Sequence, residues 1–510
     1  MKHGHIIAAF RAVLSIAVLN LEYGIFFSTV MKCHWPTLPA RSAHLPAAHV
    51  LLITDPQILD RHSYPERSSV LTYLSQVFTD LNMRKSWRAI LRKQPGVIFV
   101  LGDMMDNGRL AFENDEYEQY YRRYQAIFNS NSIPQFFLPG NHDVGYASPK
   151  FSHHVHSRFI THFGPLNSNV QVAGHTFLLI DAPGLAEEDN ERTAASLPLT
   201  NWHPKPNGTL EFVMNFSREN NSTSIILLTH IPLARSQNAD CGPQRERGTI
   251  RAGFGMDYQN TLGPDISSFL LDILHPAITV AYSGDDHDYC EYTHPALRNN
   301  ELDSGTREVT VKSLSMAMGV RRPGFQLLSL AQDAPPSLRS SDKYADTLCH
   351  LPDQLGIYLI GYPCVVILSL LAIGWINSPW FRSYTSRSDR KSVLTRWLPM
   401  STSQPHVDHI GRRSSTTSTT SSDEYEDSNS LPRPVAADRR SNDSPRTRNQ
   451  RSCLGTVFQL IYRPTVWILL SGTSRHPRPR RFWHRFLRDF RDVAIFPIGM
   501  FVAVALWVSI

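Results

Sequence analysis

The chain has 510 residues, enough for one large domain together with further segments. Its formal net charge is +6 at pH 7, and lysine and arginine are concentrated after residue 380. A basic tail beside apolar stretches favours a membrane surface as a partner, and the sequence contains no nucleic-acid-binding motif. The composition gives no indication of an oligomeric state.

Three apolar stretches predict membrane-spanning helices. The first occupies residues 1–30, where an apolar run over 6–30 is interrupted by Arg11 and Glu22. A cleaved signal peptide is the alternative, but the length of the run and the lack of a small-x-small end favour an uncleaved anchor. The other two stretches are residues 356–377 and 493–510.

Charge predicts how these helices are oriented. Residues 378–492 are basic and serine-rich, their composition predicts disorder over most of their length, and the positive-inside rule places them in the cytosol. Crossing back through the second span places the region between the first two spans in the lumen. The apolar segment 454–470 is broken by Arg463 and Pro464 and is predicted to be interfacial or re-entrant.

Two features of the predicted luminal region agree with that side. Glycosylation sequons at Asn207, Asn215, Asn220 and Asn221 predict a glycoprotein. Cysteines in an oxidising lumen can form disulfides, although their pairing stays open. The luminal cysteines are Cys33, Cys241, Cys290 and Cys349, of which Cys290 is predicted to be structural or disulfide-linked.

A proline-rich linker, residues 31–47, leads into an α/β domain predicted over residues 48–350. In this domain five short apolar runs, each typical of a buried strand, end in side chains that carry oxygen or nitrogen. These are 51–54 with Asp55 and Gln57, 97–100 with Asp103 and Asp106, 135–138 with Asn141 and His142, 225–229 with His230, and 278–282 with Asp285 and His287. If the strands share a sheet, their carboxyl ends bring these side chains together.

The end of the second run indicates a cation. Gly102 lets the backbone turn sharply, and Asp103 and Asp106 then lie on one loop. Two carboxylates on one loop repel each other unless a metal ion or a protonated histidine lies beside them. A single loop of this kind is more often a turn than a ligand site, but five such strand ends in order predict a dinuclear metal site.

Other segments have structural interpretations. Residues 71–91 predict a helix, and the tyrosines over 117–124 predict a helix packing face. His153, His154 and His156 have the look of a metal cluster, but no strand aims them at the predicted centre. We therefore favour the alternative, a polar helix face.

The order of the motifs resembles the calcineurin-like metallophosphoesterases. Their signature is D-x-H, G-D-x-x-D, G-N-H-D/E, H and G-H-x-H, and residues 48–330 contain it with two departures. Gln57 stands for a histidine, and Asp285 stands for the first histidine of the last motif. The segments 283–292 and 311–325 are similar to the fungal cell-division-control and animal post-GPI-attachment members. The resemblance implies an α/β four-layer sandwich, two mixed β-sheets flanked by helices, with transmembrane helices at both ends.

The resemblance also implies a role for each donor. One metal ion would be held by Asp55, Gln57, Asp103 and His287. Asp103 would bridge to a second ion, held also by Asn141, His230 and Asp285. A hydroxide between the two divalent ions would attack phosphorus. The oxygen ligands supplied by Gln57 and Asp285 favour Mn²⁺ over Zn²⁺.

Four more residues complete the predicted site. His142 would protonate the leaving oxygen or hold a phosphoryl oxygen, with Asp106 fixing its orientation; a turn-capping histidine is the alternative. Arg321 and Arg322 are candidates for binding a phosphate or an acidic headgroup, and a solvated turn is the alternative.

The implied function is a phosphodiesterase that removes ethanolamine phosphate from a mannose of a glycosylphosphatidylinositol (GPI) anchor in the endoplasmic reticulum or Golgi. The implied partners are the GPI glycan and membrane lipid. The alternatives are a phosphomonoesterase acting on proteins or small molecules, and a non-catalytic luminal scaffold that binds Mn²⁺. The presence of His142 and Asp106 disfavours the scaffold, because metal binding requires neither.

Overall fold

The structure is a computed structural model that describes residues 3–110, 114–130, 132–146, 152–219, 224–255, 258–298, 301–335, 337–383 and 479–509. Contacts divide the chain into two units, Met1–Ser378 with His484–Ile510, and Pro379–Trp483. The predicted disorder and the predicted re-entrant segment 454–470 lie outside the described residues. The fold described below is that of the first unit.

Two β-sheets form the centre of the domain. Their strands are β1 Ala47–Ile53, β2 Val97–Leu101, β3 Gln135–Leu138, β4 Ser168–Val172, β5 His175–Leu179, β6 Ile225–Leu228, β7 Phe254–Gly255, β8 Tyr258–Gln259, β9 Ile278–Ser283, β10 Cys290–Arg298, β11 Glu301–Thr310, β12 Gly324–Ala331 and β13 Tyr344–His350. The first sheet has the order β13-β12-β1-β2-β3 and the second the order β10-β11-β9-β6-β5-β4, while β7 and β8 pair with each other. Both large sheets mix parallel and antiparallel pairs, which confirms the predicted fold class.

Helices cover the sheets and extend from them. They are α1 His3–Lys32, α2 Ser69–Ile90, α3 Asn114–Ile127, α4 Asn141–Val144, α5 Ser152–Phe163, α6 Ala182–Ala194, α7 Thr209–Glu219, α8 Pro264–Leu274, α9 Gln354–Asn377 and α10 Pro479–Ser509. The side chains of β1 alternate between two apolar environments, which explains why the strand sequences are continuous apolar runs. Val50 and Leu52 face a core between the sheets, where Phe99 stacks on Phe177 at 4.4 Å, and their neighbours face the helices.

Three helices are long and apolar enough to cross a membrane: His3–Lys32, Gln354–Asn377 and Arg481–Ser509. The third helix begins well before the predicted residue 493, with Pro479 in its first turn. Residues 480–492 contain no glycine or proline, so nothing in this charged and aromatic segment ends the helix.

Glu22, which interrupts the first apolar run, has a partner. It lies on a π-helical turn, Asn20–Gly24, and is 3% exposed. Its carboxylate accepts a hydrogen bond from Lys85 Nζ at 2.9 Å and another from the Tyr362 hydroxyl at 2.7 Å. The buried charge is therefore compensated, and it ties the first and second spans to α2.

Two disulfides pair the cysteines of the predicted luminal region. Cys33, just after α1, is bonded to Cys349 in β13, and Cys241 is bonded to Cys290 at the start of β10. The prediction for Cys290 is thus confirmed. The second disulfide joins the long connection after β6 to the loop that carries Asp285 and His287.

A buried ion pair supports the second sheet and gives a stability prediction. Glu308 forms an ion pair with Arg235 at 2.8 Å and accepts a hydrogen bond from Ser283 at 2.7 Å, and both charged side chains are fully buried. Glu308→Gln should lower the free energy of unfolding by about 3–5 kcal/mol, because it leaves the Arg235 charge uncompensated. The control is Glu291→Gln, which breaks a partly exposed pair with Arg307 and should cost about 0–1 kcal/mol. Equal shifts of the denaturation midpoint in the two variants would contradict this prediction.

Candidate metal centre

The ends of β1, β2 and β6 bring three ligand-bearing side chains together. Asp55, Asp103 and His230 are buried, and their ligand atoms lie within 4.8 Å of one another. The sequence made this convergence conditional on one shared sheet, and that condition is not met: β1 and β2 belong to the first sheet and β6 to the second, in line with the two mixed sheets that the resemblance implies. The site forms nevertheless, because strand ends from the two sheets meet there: His230 Nδ1, just after β6, lies 2.7 Å from the main-chain oxygen of Leu101 at the end of β2.

One group of donors surrounds the ring of His230. Its Nε2 is 3.1 Å from Oδ1 of Asn141, 3.4 Å from Oδ1 of Asp103 and 3.6 Å from Oδ1 of Asp285. Its Nδ1 lies 2.7 Å from the main-chain oxygen of Leu101. The contact with Leu101 fixes the orientation of the ring and leaves Nε2 to face the cluster.

A second group of donors faces the other oxygen of Asp103. Gln57 Nε2 donates to Asp103 Oδ2 at 2.8 Å and lies 3.3 Å from His287 Nε2. His287 Nε2 is in turn 3.9 Å from Asp55 Oδ1. Half a turn about the terminal bond of Gln57 would present its amide oxygen instead of its nitrogen. The two oxygens of Asp103 thus face two separate donor groups, the geometry required of a bridging ligand.

The backbone at the donors is in the left-handed region, which non-glycine residues seldom adopt. The φ angles are 48° at Asp55, 38° at Gln57, 56° at Asp103, 65° at Asp285 and 67° at His287. Each such residue costs roughly 1–3 kcal/mol, and clusters of them are typical of functional sites. The fold therefore gives up stability at these positions to aim the side chains at one centre.

Glycine is required where two of the loops touch. A Cβ on Gly140 would collide with the carboxylate of Asp103 and lie 2.5 Å from its main-chain nitrogen. Gly102 has φ +88°, and a Cβ there would meet the ring of His230 and come within 2.9 Å of the Cα of Gly140. The close approach of the loops that carry Asp103, Asn141 and His230 depends on both glycines.

Burial and mutual repulsion set the protonation of the cluster. Burial raises the pKa of Asp55 well above its usual range, and the neighbouring Asp103 and Asp285 add to this. Burial also raises the pKa of Asp285 to about 7, with Asp103 contributing. For His230 burial acts against protonation, but the carboxylates of Asp103 and Asp55 outweigh it and raise the pKa. The cluster thus attracts positive charge strongly.

These pKa values predict how metal affinity depends on pH. Below pH 7 the Asp285 carboxyl is protonated, and a proton must leave before it can bind a cation. Apparent Mn²⁺ affinity, measured by calorimetric titration, should therefore rise between pH 6 and 8 by up to about tenfold per pH unit for each proton released. In Asp285→Asn the slope should be smaller. A slope as steep as that of the parent chain would contradict the assignment of Asp285.

His142 lies beside the donor groups without joining them. Its main-chain N–H donates to Asp103 Oδ1 at 2.9 Å, and its ring Nδ1 contacts the main-chain oxygen of Asp106. The carboxylate of Asp106 is 3.6 Å from the same ring nitrogen. The predicted pairing is therefore present, but the closer contact to the ring comes from the main chain of Asp106.

Arg321 and Arg322, candidates for binding a phosphate or an acidic headgroup with a solvated turn as the alternative, lie on a loop held by Glu246. Their main-chain N–H groups donate to Glu246 at 2.7 and 2.9 Å. The guanidinium of Arg321 is largely exposed and pairs with Asp353 at 2.6 Å. Their binding of phosphate stays a prediction.

Several supporting residues were not found from the sequence. Asp143 accepts N–H bonds from Gly140 at 3.0 Å and Met105 at 3.1 Å, and so holds the loops of Asn141 and Asp103 together. Buried Lys312 pairs with Asp288 at 2.7 Å and steadies the loop of His287. The GNHD motif contains Asp143 and was a signal for it; nothing local in the sequence marks Lys312.

Of the histidines of α5 whose side chains the structure describes, none belongs to this group of donors. Within the described parts of the chain, the His, Cys, Asp and Glu side chains whose ligand atoms come within 4.8 Å of one another in a group of three are those of Asp55, Asp103 and His230. His154 is exposed on α5. The favoured interpretation, a polar helix face, agrees with this placement.

The donors fit divalent cations. Carboxylate, amide and imidazole groups are arranged on both sides of a single carboxylate, and the set contains no thiolate. Oxygen and imidazole ligands of this kind suit hard and intermediate divalent ions. The left-handed φ angles and the raised pKa values of the carboxyl groups both reflect a free-energy cost of gathering the donors. A bound cation offsets this cost, because it binds to the folded state.

Comparisons with known proteins agree with this site. Residues 48–288 match the calcineurin-like phosphoesterases. Cell division control protein 1 of Saccharomyces cerevisiae is 32% identical over 344 residues, covering 65% of this chain and 67% of that protein. A Metallophosphoesterase 1 homolog of Drosophila melanogaster is 25% identical over 376 residues, covering 70% of this chain and 90% of that protein. Metallophosphoesterase 1 of Mus musculus is 25% identical over 389 residues, covering 72% of this chain and 89% of that protein.

Proposed function

Because this chain belongs to the calcineurin-like phosphoesterase family and is a metal-dependent phosphoesterase, we propose that it removes ethanolamine phosphate from a mannose of a GPI anchor. The proposed hydrolysis is supported above all by the position of Asp103. Its two oxygens face two donor groups, and the main-chain N–H of His142 donates to one of these oxygens. The substrate part rests on the resemblance of residues 283–292 and 311–325 to the post-GPI-attachment members.

Two divalent cations fit this site, and we assign them to its two donor groups. Asp55, Gln57 and His287 would hold one ion, Asn141, His230 and Asp285 the other, and Asp103 both. The proposed metal is Mn²⁺, because Gln57 and Asp285 supply oxygen where imidazole is usual in the family. Bound metal lowers the pKa of a coordinated water from about 15.7 toward about 7, which provides hydroxide near neutral pH.

The chain's own residues then act on the substrate and the leaving group. Contacts between the ligand loops hold the donors in place: the main-chain N–H of Asp285 donates to Asp55 Oδ1 at 3.3 Å, and that of His142 donates to Asp103 Oδ1 at 2.9 Å. His142 is 27% exposed at its side chain, so its ring can reach a substrate while Asp106 orients it. It would deliver a proton to the mannose oxygen as the phosphorus–oxygen bond breaks.

The proposed substrate is attached to lipid, and several features support a membrane-bound enzyme with its catalytic domain in the lumen of the endoplasmic reticulum or Golgi. Three helices are candidate spans. The disulfides Cys33–Cys349 and Cys241–Cys290 suit an oxidising compartment. The sequon residues Asn207 and Asn215 are exposed and open to glycosylation. Anchoring enzyme and substrate in one membrane raises their effective concentration.

The test is a reconstituted assay with the full-length chain. Proteoliposomes containing Mn²⁺ and a GPI glycolipid that carries ethanolamine phosphate are incubated, and the products are identified by mass spectrometry. The proposal predicts release of ethanolamine phosphate and a free mannose hydroxyl. Release of inorganic phosphate from monoesters alone would instead establish a phosphomonoesterase. Stoichiometric metal binding without turnover of any phosphoester would establish the scaffold.

A further inference from the structure

The first turns of α2 expose a group of apolar side chains. Val70, Leu71, Tyr73 and Leu74 are 68%, 55%, 64% and 41% exposed. They are close neighbours on one helix, so they form a continuous patch and not scattered single residues. Exposed apolar patches of this kind mark contact surfaces.

The second half of α2 runs beside the first candidate span. Lys85 donates to Glu22 at 2.9 Å, and Lys93, just after α2, donates to the main-chain oxygen of Met31 at 3.4 Å. Residue numbers rise together in these two contacts, so the two segments run in the same direction. From Lys85 towards its N-terminus, α2 therefore runs along the first span in the direction of the span's own N-terminus. This direction leads away from Cys33, through which the span is bonded to β13.

The exposed patch continues a face of α2 that already touches the spans. Residues four apart on a helix share a face, so Val70, Leu74 and Phe78 form one stripe. The ring of Phe78 packs on that of Tyr358 at 5.8 Å. Phe78, Tyr358 and Leu14 help to line a cavity of about 600 Å³ between the three candidate spans. The stripe of Val70, Leu74 and Phe78 thus leads from the surface lined by the spans to the first turns of α2.

We propose that Val70, Leu71, Tyr73 and Leu74 contact membrane lipid, so that the first turns of α2 lie in the interface of the bilayer that the spans cross. Lipid is the partner because the stripe joins a surface formed by membrane-spanning helices. The chemistry of the patch agrees: aliphatic side chains enter the apolar layer, and a tyrosine suits the boundary with the headgroups.

This contact also places the metal centre close to the lipid. Ser63 Oγ accepts a hydrogen bond from the main-chain N–H of Asp60 at 2.7 Å, and Asn107, next to Asp106, donates to Asp60 Oδ1 at 3.1 Å. Residues 64–68 connect Ser63 to the start of α2. The segment between the patch and the site is therefore short. A consequence that rests on the proposed function is that a lipid-linked phosphoester reaches the site from the adjacent leaflet.

Spin labelling of the full-length chain in liposomes tests the contact. Cys364→Ala and Cys453→Ala remove the cysteines outside the two disulfides. A nitroxide is then attached at Leu74→Cys or, as a matched control, at Leu197→Cys, since Leu197 is 38% exposed elsewhere in the domain. The label at position 74 should collide with lipid-soluble oxygen more often than with a water-soluble nickel complex, and the label at 197 should do the reverse. Equal access of the nickel complex to both positions would overturn the proposal.

A second measurement separates lipid contact from damage to the site. The variant Leu71→Ser/Leu74→Ser should lose several-fold in turnover of a phosphodiester embedded in vesicles and keep its turnover of a soluble phosphodiester. Leu197→Ser should keep both. Equal loss on both substrates, or no loss on vesicles, would contradict the consequence for substrate access. If the parent chain turns over neither substrate, the proposed function fails, and the spin labels still decide the lipid contact.

Discussion

Asp103→Asn is expected to abolish turnover and the binding of a metal pair. Its Oδ1 lies 3.4 Å from His230 Nε2, and its Oδ2 lies 2.8 Å from Gln57 Nε2, so one carboxylate serves both donor groups. An amide of the same shape keeps the packing but removes the charge between the two cations. Metal-ion catalysis supplies several kcal/mol, so kcat/KM should fall by at least about 10³-fold. Elemental analysis should show fewer metal ions per chain.

Asp106→Asn is the matched control, because it changes a neighbouring carboxylate on the same loop. The ring of His142 contacts the main-chain oxygen of Asp106, and the carboxylate is 3.6 Å away. The substitution leaves the main-chain contact in place, so its effect on turnover should be much smaller and the metal content should not change. Full metal content and undiminished turnover in Asp103→Asn would reject the bridging role.

His142→Ala should separate catalysis from metal binding. The side chain faces the site but is not among the donors around Asp103, and its main-chain bond to Asp103 survives the substitution. The metal content should therefore match that of the parent chain. Loss of a general acid costs about 10²–10⁴-fold, and this loss should appear in kcat. The drop should shrink for substrates whose leaving group needs no proton, such as a nitrophenolate.

The control for this experiment is His154→Ala, which removes an exposed imidazole on α5. Turnover and metal content should both be unchanged. Unaltered kcat in His142→Ala would assign His142 to the alternative role of capping its turn. If metal is bound by every variant and none of them, nor the parent, hydrolyses a phosphoester, the scaffold is the better account.

The strand ends of the site could be predicted from the sequence, because each is a local pattern. A short apolar run followed by Asp103, Asn141 or His230 marks the end of a buried strand wherever that strand lies in the fold. That the donors meet did not follow from the assumption of one shared sheet. They meet because strand ends from two sheets come together, as the 2.7 Å contact of His230 Nδ1 with the main-chain oxygen of Leu101 shows.

The backbone conformation of the donors could not be predicted. Aspartate at positions 55, 103 and 285 adopts positive φ, which glycine prefers and which local propensity therefore disfavours. The surrounding loops impose it through long-range contacts. The main-chain N–H of Asp285, for example, donates to Asp55 Oδ1 at 3.3 Å across 230 residues of sequence.

The other features that could not be predicted from the sequence are ion pairs between residues distant in the chain. Glu308 and Arg235 are fully buried, and a single sequence gives no reason to pair them. The same holds for Glu22 and Lys85, which join a candidate span to α2. The start of α10 was placed too late because its first turns are charged, and hydropathy marks only the part of a helix suited to the membrane.

One buried carboxylate, that of Asp103, is expected to join two metal ions. Titration of the metal-free, full-length chain with Mn²⁺, followed by electron paramagnetic resonance, tests this most directly. The second equivalent should produce the spectrum of two exchange-coupled Mn²⁺ ions in the parent chain, and Asp103→Asn should not show it. A spectrum of isolated Mn²⁺ at every ratio in the parent chain would contradict it.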